Sequence, residues 1–388
     1  METVSQILSQ LETRLTGLQQ HAITKNAVVG FDGFVDSIRK AVKSRDTRSV
    51  TYYNTLVEFS ERIKAASGKS GQVEMDVQRI KPGGNAPILS TALSNFNIPT
   101  TCIGSIDHPV FVPLSSRCKT ISILPPGESD AIEFDDGKII LSDLSVFQKY
   151  NWEHVKQKVG IERIKTIIHQ AQLIALVDWA NIVQAETIWD GLLQEVIKPS
   201  GRKDYLFYFD LCDPSKKSAH EIDDILDLIS DFSCYGSVTL GLNTNEALAI
   251  WSALTGNKRN VSIEEAGKFI HYTMNIDHLL IHPIDRTYVF TRKEVIELPG
   301  RLVTQPKIQT GGGDNLNAGF ILGQLAGFNL KESVMLGMVA SGSYIETGKS
   351  SNLQELLSYI RIWNKELNSQ IAVNSNSAVV QFPLPVHN

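Results

Sequence analysis

A doubly wound α/β fold with a mostly parallel sheet is what this sequence predicts, and three observations predict it. Short apolar runs, Leu173 to Val177, Tyr205 to Phe209, Val238 to Leu242 and His278 to His282, alternate with stretches of helical periodicity. Strands covered by helices on both faces need such unbroken runs, because successive side chains point to opposite faces and both faces are dry. Acids, amides and glycines gather just after strand-like runs, where the ligands of an open α/β sheet collect. The 388 residues are 42% hydrophobic and 20% charged, with the charges mixed along the chain, which suits one enzyme-sized domain with a large core.

The elements follow in order. Residues 1 to 25 form a helical extension, with Glu and Arg interspersed among apolar positions. Val28-Val29-Gly30-Phe31-Asp32-Gly33-Phe34-Val35-Asp36 is a buried strand ending in two acids, and Ser49 to Ala66 is an inserted helix. Val73 to Ile80 is a further strand. Lys81-Pro82-Gly83-Gly84-Asn85-Ala86-Pro87 is a glycine turn with an Asn suited to capping the apolar helix Ile88 to Phe96, before the strand Thr100 to Gly104. Ala131 to Leu141 is a hairpin whose Asp136-Gly137 pair supplies a type I′ turn. Asp178, beside Trp179 and Asn181, and Asp210 with Asp213 stand at strand ends; Asp213-Pro214 reads as a helix start and Trp179 as packing. Thr239 to Asn243 runs into a helix with the spacing Asn243-x-x-Glu246, the pattern of a capping box. No internal repeat or low-complexity linker divides the chain.

Gly311-Gly312-Gly313-Asp314, heading the small-residue helix Leu316 to Gly327, carries the most chemistry. Glycines let successive backbone N–H groups approach a ligand, and a helix N-terminus adds partial positive charge where a phosphate would sit. Asp314 is placed to accept a hydroxyl proton. The combination suits phosphoryl transfer.

Composition narrows the partners. A net charge of −5 and a pI near 6.0 leave no basic footprint for nucleic acid. No apolar stretch approaches membrane-spanning length and the N-terminus lacks a signal-peptide core, so a cytoplasmic protein is expected. Cys102, Cys118, Cys212 and Cys234 lack metal-ligand spacing and read as reduced packing residues.

Gly311 to Asp314 resembles the second signature of the ribokinase-like (PfkB) carbohydrate kinases, Gly-Ala-Gly-Asp before a helix, with Gly312 in place of alanine. Lys81 to Pro87 resembles the first signature, and Asn243-x-x-Glu246 the family's Asn-x-x-Glu motif. These segments occur in family order, from about Val28 to about Gly348.

The resemblance implies a ribokinase-like domain over residues 26 to 388, with a small β lid drawn from about 70 to 84 and 120 to 145. It implies transfer of the terminal phosphoryl group of ATP to a hydroxyl of a sugar or sugar-like molecule. Asp314 would be the base, with Gly311, Gly312 and Gly313 as the anion hole. Asp32 or Asp36, with Gly33, Gly83, Gly84 and Asn85, would hold the sugar. Asn243, Glu246, Ser343 and Gly348 would lie at the nucleotide, and Glu246 would orient Mg2+ through water. Lids of this kind often pair between subunits, which implies a homodimer. Two departures stand out: His282-Pro283-Ile284-Asp285 replaces a Thr-x-Gly loop at the nucleotide, and Ile308-Gln309-Thr310 replaces the Asp-Thr-Thr that serves a monovalent cation, a role Ile308 cannot fill. An ADP-dependent sugar kinase, a nucleoside kinase and a non-catalytic sugar or nucleotide sensor are the alternatives. Lys81, Arg117 and Arg286 are candidates for a phosphate already on the acceptor.

Overall fold

The computed structural model describes residues 2–20, 23–257, 259–308 and 310–377; Met1, His21, Ala22 and Gln309, on which expectations above partly fall, lie outside the described residues. In chain order the strands are β1 (Asn26–Phe31), β2 (Phe34–Arg45), β3 (Val50–Tyr52), β4 (Met75–Gly83), β5 (Thr100–Gly104), β6 (Lys119–Ser122), β7 (Gly127–Phe134), β8 (Gly137–Asp143), β9 (Ala171–Val177), β10 (Tyr205–Asp210), β11 (Gly236–Asn243), β12 (His278–His282), β13 (Arg286–Phe290) and β14 (Val295–Pro299). Nine of them form the central sheet, ordered β14-β13-β12-β11-β10-β9-β1-β5-β6. From β12 to β6 every neighbouring pair is parallel, and β13 and β14 add an antiparallel edge.

The apolar runs behave as their pattern requires. Val28, Ile174, Leu279 and Ile281 pack into the core on one face of the sheet. Their chain neighbours Val29, Leu173, Ala175 and Leu280 pack into the core on the other. Burying both faces of each strand contributes about 1.5–3 kcal/mol per large apolar side chain, which makes this sheet the rigid base of the molecule. The N-terminal helix Val4–Gln20 belongs to the second core through buried Ile7, Leu8, Leu11 and Leu15. Arg14 pairs at 2.8 Å with the buried Glu332, fixing that helix to the helix Leu330–Thr347.

The lid is larger than expected. Its five strands run β3-β2-β7-β8, with β4 also paired to β2. The single strand expected over Val28 to Asp36 breaks after Phe31: β1 ends there in the central sheet, and β2 runs from Phe34 to Arg45 as the lid's spine, while Lys119–Ser122, expected within the lid, is the edge of the central sheet. The segment Ser49 to Ala66 is not all helix. β-prone Val50-Thr51-Tyr52 pairs with β2, and the helix Leu56–Lys64 begins at a Thr55 cap. Phe59 of that helix packs on Ala41 and Ile132 of the lid. The hairpin forms, but Phe134 pairs with Gly137, so Asp135 and Asp136 are its loop and neither has the positive φ of a type I′ turn. The insert explains this: Asp135 N–H donates to Asn54 O at 2.8 Å, and the Asp136 carboxylate accepts from Leu56 N–H at 2.9 Å.

Candidate active site

Parallel pairing aligns the carboxyl ends of the strands, and polar side chains appear there. Asp32 follows β1, Asp178 follows β9, Asp210 ends β10, Asn243 ends β11 and His282 ends β12. Val177 is in register with Asp210, Asp210 with Gly241, and Asn243 with His282.

Asp32 is fully buried, and its two carboxylate oxygens accept 2.7 Å bonds from the N–H groups of Asn85 and Ala86. It thus caps the helix Asn85–Asn95, whose N-cap residue, Gly84, has φ 94° and no side chain to do so. A Cβ on Gly84 would lie 2.5 Å from Asp32 Oδ2, so the turn needs glycine on both counts. Gly33 and Gly83 bracket the entry to the lid, both close to Phe34: Gly33 precedes it and Gly83 pairs with it. Asp36, two residues into β2, pairs in register with Lys81 of β4 and forms a 3.7 Å ion pair with it. Burial raises the Asp36 pKa against the pull of Lys81 and Lys138.

Asp314 lies in the first turn of the helix Gly312–Leu325, behind Gly311 at φ 92°. Tyr344 fixes that turn by donating its hydroxyl to Thr310 O at 2.9 Å. Asp314 is buried, and its Oδ1 has no hydrogen-bond partner among the described residues. Burial first, then the carboxylates of Asp210 and Asp178, hold its carboxyl well above the usual range.

Two cavities meet at this turn. One, of about 410 Å³, runs under the lid and is lined by Asp36, Lys81, Gly84, Asn85, Asp178, Asn181, Asp213, Lys216, Thr310 and Asp314. The other, of about 450 Å³, is lined by Asn243, His282, Ile284, Arg286, Arg301, Gly312, Gly313, Ser341, Gly342 and Ile345. A larger cavity of about 1120 Å³ opens near Thr100, Lys119 and the helix Ile161–Gln170, at the opposite end of the strands, and touches none of these residues. The ends of the strands decide which cavities belong to the site.

The sequence-predicted residues divide accordingly. Asp36, Gly84, Asn85 and Asp314 line the first cavity, while Asn243, Gly312 and Gly313 line the second. Glu246 forms a capping box with Asn243, accepting from Asn243 N–H at 2.8 Å and donating its own N–H to Asn243 Oδ1 at 3.0 Å. Burial, reinforced by Asp210, raises its carboxyl far above the usual range. Ser343 and Gly348 do not reach the second cavity: the Ser343 hydroxyl is buried against Ser351 Oγ at 2.7 Å, and Gly348 ends the helix at φ 79°. Ser341 and Gly342 stand at the cavity instead. Arg117 bonds Asn95, and Arg286 is paired with Asp285 and Glu297. Trp179 is buried and donates to Glu186 at 2.6 Å, so it is packing. His282 is half-buried at the second cavity, and desolvation there lowers its pKa to about 4, leaving a neutral ring beside Gly313.

Asp178 and Asp210, acids at strand ends, both lie close enough to Asp314 to raise its pKa. Asp178 adopts φ 58° and Cys212 φ 61°, a conformation that side chains rarely take and that often marks functional sites. Asp178 Oδ1 accepts from Asn181 at 2.7 Å, and its Oδ2 is buried without a partner among the described residues. Asp210 accepts 2.9 Å bonds from Cys212 N–H and from Asn317 of the Asp314 helix. None of the four cysteines is in a disulfide.

A hydroxyl in the first cavity would face Asp314, and an anion in the second would meet the N–H groups of the turn. A model of the prokaryotic ketohexokinase family matches residues 12–362. A ketohexokinase of Haloferax volcanii is 22% identical over 337 residues, which is 85% of this chain and 89% of that protein. An adenosine kinase from Sinorhizobium meliloti superposes with a TM-score of 0.62 at 16% identity, over 88% of this chain and 99% of the other. An Escherichia coli candidate ribokinase II, in complex with ATP and Mg2+, superposes with a TM-score of 0.58 at 11% identity, over 87% and 99%. No helix among the described residues is long and apolar enough to cross a membrane. With its ribokinase fold and its two cavities joined at a glycine turn, the chain belongs to the prokaryotic ketohexokinase family and is a carbohydrate kinase.

Proposed function

We propose that the protein moves the terminal phosphoryl group of ATP to a hydroxyl of a ketohexose-like sugar, with Asp314 as general base. One observation carries this reading: the Gly311–Asp314 turn is the partition between the two cavities, with Asp314 on one side and Gly312 and Gly313 on the other. The sugar occupies the cavity under the lid. Asp36 and Asn85 reach its hydroxyls directly, Asp178 offers its unpartnered oxygen, and Asp32, Gly33, Gly83 and Gly84 shape the backbone around it. ATP occupies the second cavity, against Asn243, Gly312, Gly313, Ser341 and Gly342.

In the reaction, Asp314 takes the proton of the acceptor hydroxyl while that oxygen bonds to the terminal phosphorus. The bond from phosphorus to the bridging oxygen breaks, and ADP leaves. N–H groups of the turn stabilise the charge in flight. Among the described residues no cluster of three acidic, His or Cys side chains is arranged to hold a metal directly. The paired acids Asp210 and Glu246, each raised in pKa first by burial, fit an ion that keeps its waters, as Mg2+ does. Bound there through water by Glu246 and Asp210, Mg2+ would neutralise charge on the nucleotide phosphates. Exposed Ile139, Ile140 and Leu141 on the edge strand β8 support pairing of two lids in a homodimer.

The test is product formation with ATP and ADP separately, with Mg2+ or EDTA, across ketohexoses, aldoses, sugar phosphates and nucleosides. ATP- and Mg2+-dependent phosphorylation of a ketohexose supports the reading. Turnover with ADP alone reassigns the donor, turnover confined to nucleosides reassigns the acceptor, and ligand binding without any turnover makes the protein a sensor.

A further inference from the structure

We propose that Lys138, at the tip of the lid hairpin, is a further catalytic residue whose ammonium group contacts the transferring phosphoryl group. The inference rests on the phosphotransferase reading above and adds to it a charge supplied by the lid.

Lys138 is the second residue of β8, just beyond the Asp135-Asp136 loop. Its Nζ donates to Thr310 Oγ1, the side chain immediately before the glycine turn. Thr310 lines the sugar cavity and is itself fixed by the Tyr344 hydroxyl. A lid residue 172 positions away in the chain is therefore seated where the two cavities join.

Its charge is available. Lys81 is committed to Asp36, and Lys216 donates to Asn181 at 2.7 Å. Lys138 bonds a neutral hydroxyl, and among the described residues no carboxylate forms an ion pair with it. Burial first, then Lys81, lowers its pKa, against the weaker pull of Glu133, its register partner across the hairpin, and of Asp36. The cavity that its partner Thr310 lines also holds Asp36, Asp178 and Asp314, carboxylates that would repel an incoming phosphoryl group. A cation at the partition offsets that repulsion where the charge develops, and it can exchange its bond to Thr310 for a stronger one to a phosphoryl oxygen. Lys138 neither gains nor loses a proton in the step; the hydroxyl proton goes to Asp314 and ADP leaves as before. Because the lysine is on the lid, the charge is present only when the lid covers the sugar.

The experiment compares the wild type with Lys138→Met, Lys138→Arg and Asp314→Ala, measuring sugar phosphorylation and sugar-independent ATP hydrolysis. A lysine touching the phosphoryl group predicts that Lys138→Met lowers kcat by about 100-fold, with KM for the sugar changed less than about threefold. Background hydrolysis falls in parallel, and Lys138→Arg restores at least about tenfold of the loss. The proposal is overturned if Lys138→Met keeps kcat within about threefold of wild type, or if transfer falls while hydrolysis holds or rises, which is the signature of a latch that only excludes water. Wild-type turnover that collapses in Asp314→Ala sustains the kinase reading whatever Lys138 does. Absence of wild-type turnover removes both.

Discussion

Replacing Gly319 by alanine is expected to displace the helix that carries the Gly311–Asp314 turn. Gly319 lies in the middle of Gly312–Leu325, where that helix crosses Leu330–Thr347 at backbone contact. A Cβ there would come to 2.5 Å from Leu336 O and 2.8 Å from both Gly337 Cα and Ala340 Cβ. Ordinary contact begins at 3.4 Å, so something must move by about 0.9 Å. The nearest obstacle is backbone, which cannot swing aside as a side chain can. Overpacking of this kind costs about 1–3 kcal/mol, or roughly 1–4 °C in Tm for a domain of this size. Asp314 is five residues up the same helix, about 7.5 Å along its axis, and moves with it. A shift near 1 Å in a reacting group costs up to about 100-fold in rate, so kcat falls by about 10- to 100-fold. Calorimetry and steady-state kinetics measure the two effects. Gly17→Ala, with nothing within 4 Å of its Cβ, is the control and leaves Tm equal or higher. A Gly319→Ala enzyme with wild-type Tm and kcat would refute the claim that backbone contact between these helices holds the turn in place.

Glu246→Gln tests the buried acid pair. The folded pKa of Glu246 is raised from 4.5, by burial and then by Asp210, so its carboxyl weakens folding progressively as pH rises above about 4.5. Gln cannot ionise, so the stability of the variant relative to wild type should improve from pH 5 to pH 9 in urea titrations without Mg2+; a constant difference contradicts this. Asp36→Ala should raise the sugar KM by about 10- to 100-fold, the worth of a charged hydrogen bond, with the ATP KM little changed in initial-rate kinetics. Tyr344→Phe removes the 2.9 Å bond to Thr310 O and should lower kcat several-fold, with thermal stability reduced by about 1 kcal/mol; unchanged kcat would mean the turn holds without it.

Much of this architecture was legible in the residues. Both faces of the central strands are dry, so Leu173 to Val177 and Val238 to Leu242 announced themselves as unbroken apolar runs. The glycine turns were legible because positive φ at Gly84 and Gly311 admits few alternatives. The strand expected over Val28 to Asp36 is two strands because the chain leaves the central sheet at Asp32-Gly33 and enters the lid, a change of sheet that an apolar run does not record. The type I′ turn failed because the inserted segment grips Asp135 and Asp136 from outside, a contact no local pattern records. Asp178 and Asp210 draw their weight from meeting Glu246 and Asp314 across four segments of chain. Ser341, rather than the expected Ser343, stands at the cavity, since two residues on a helix are about 200° of rotation and the Ser343 side chain points the other way.

The most direct test of the account is Asp314→Ala, assayed for phosphoryl transfer beside calorimetric binding of ATP and sugar. A general base at the partition predicts that kcat falls by about 100- to 10,000-fold, while both ligands still bind within about tenfold of wild-type affinity. Turnover within about tenfold of wild type would contradict the assignment of Asp314 as the group that takes the acceptor's proton.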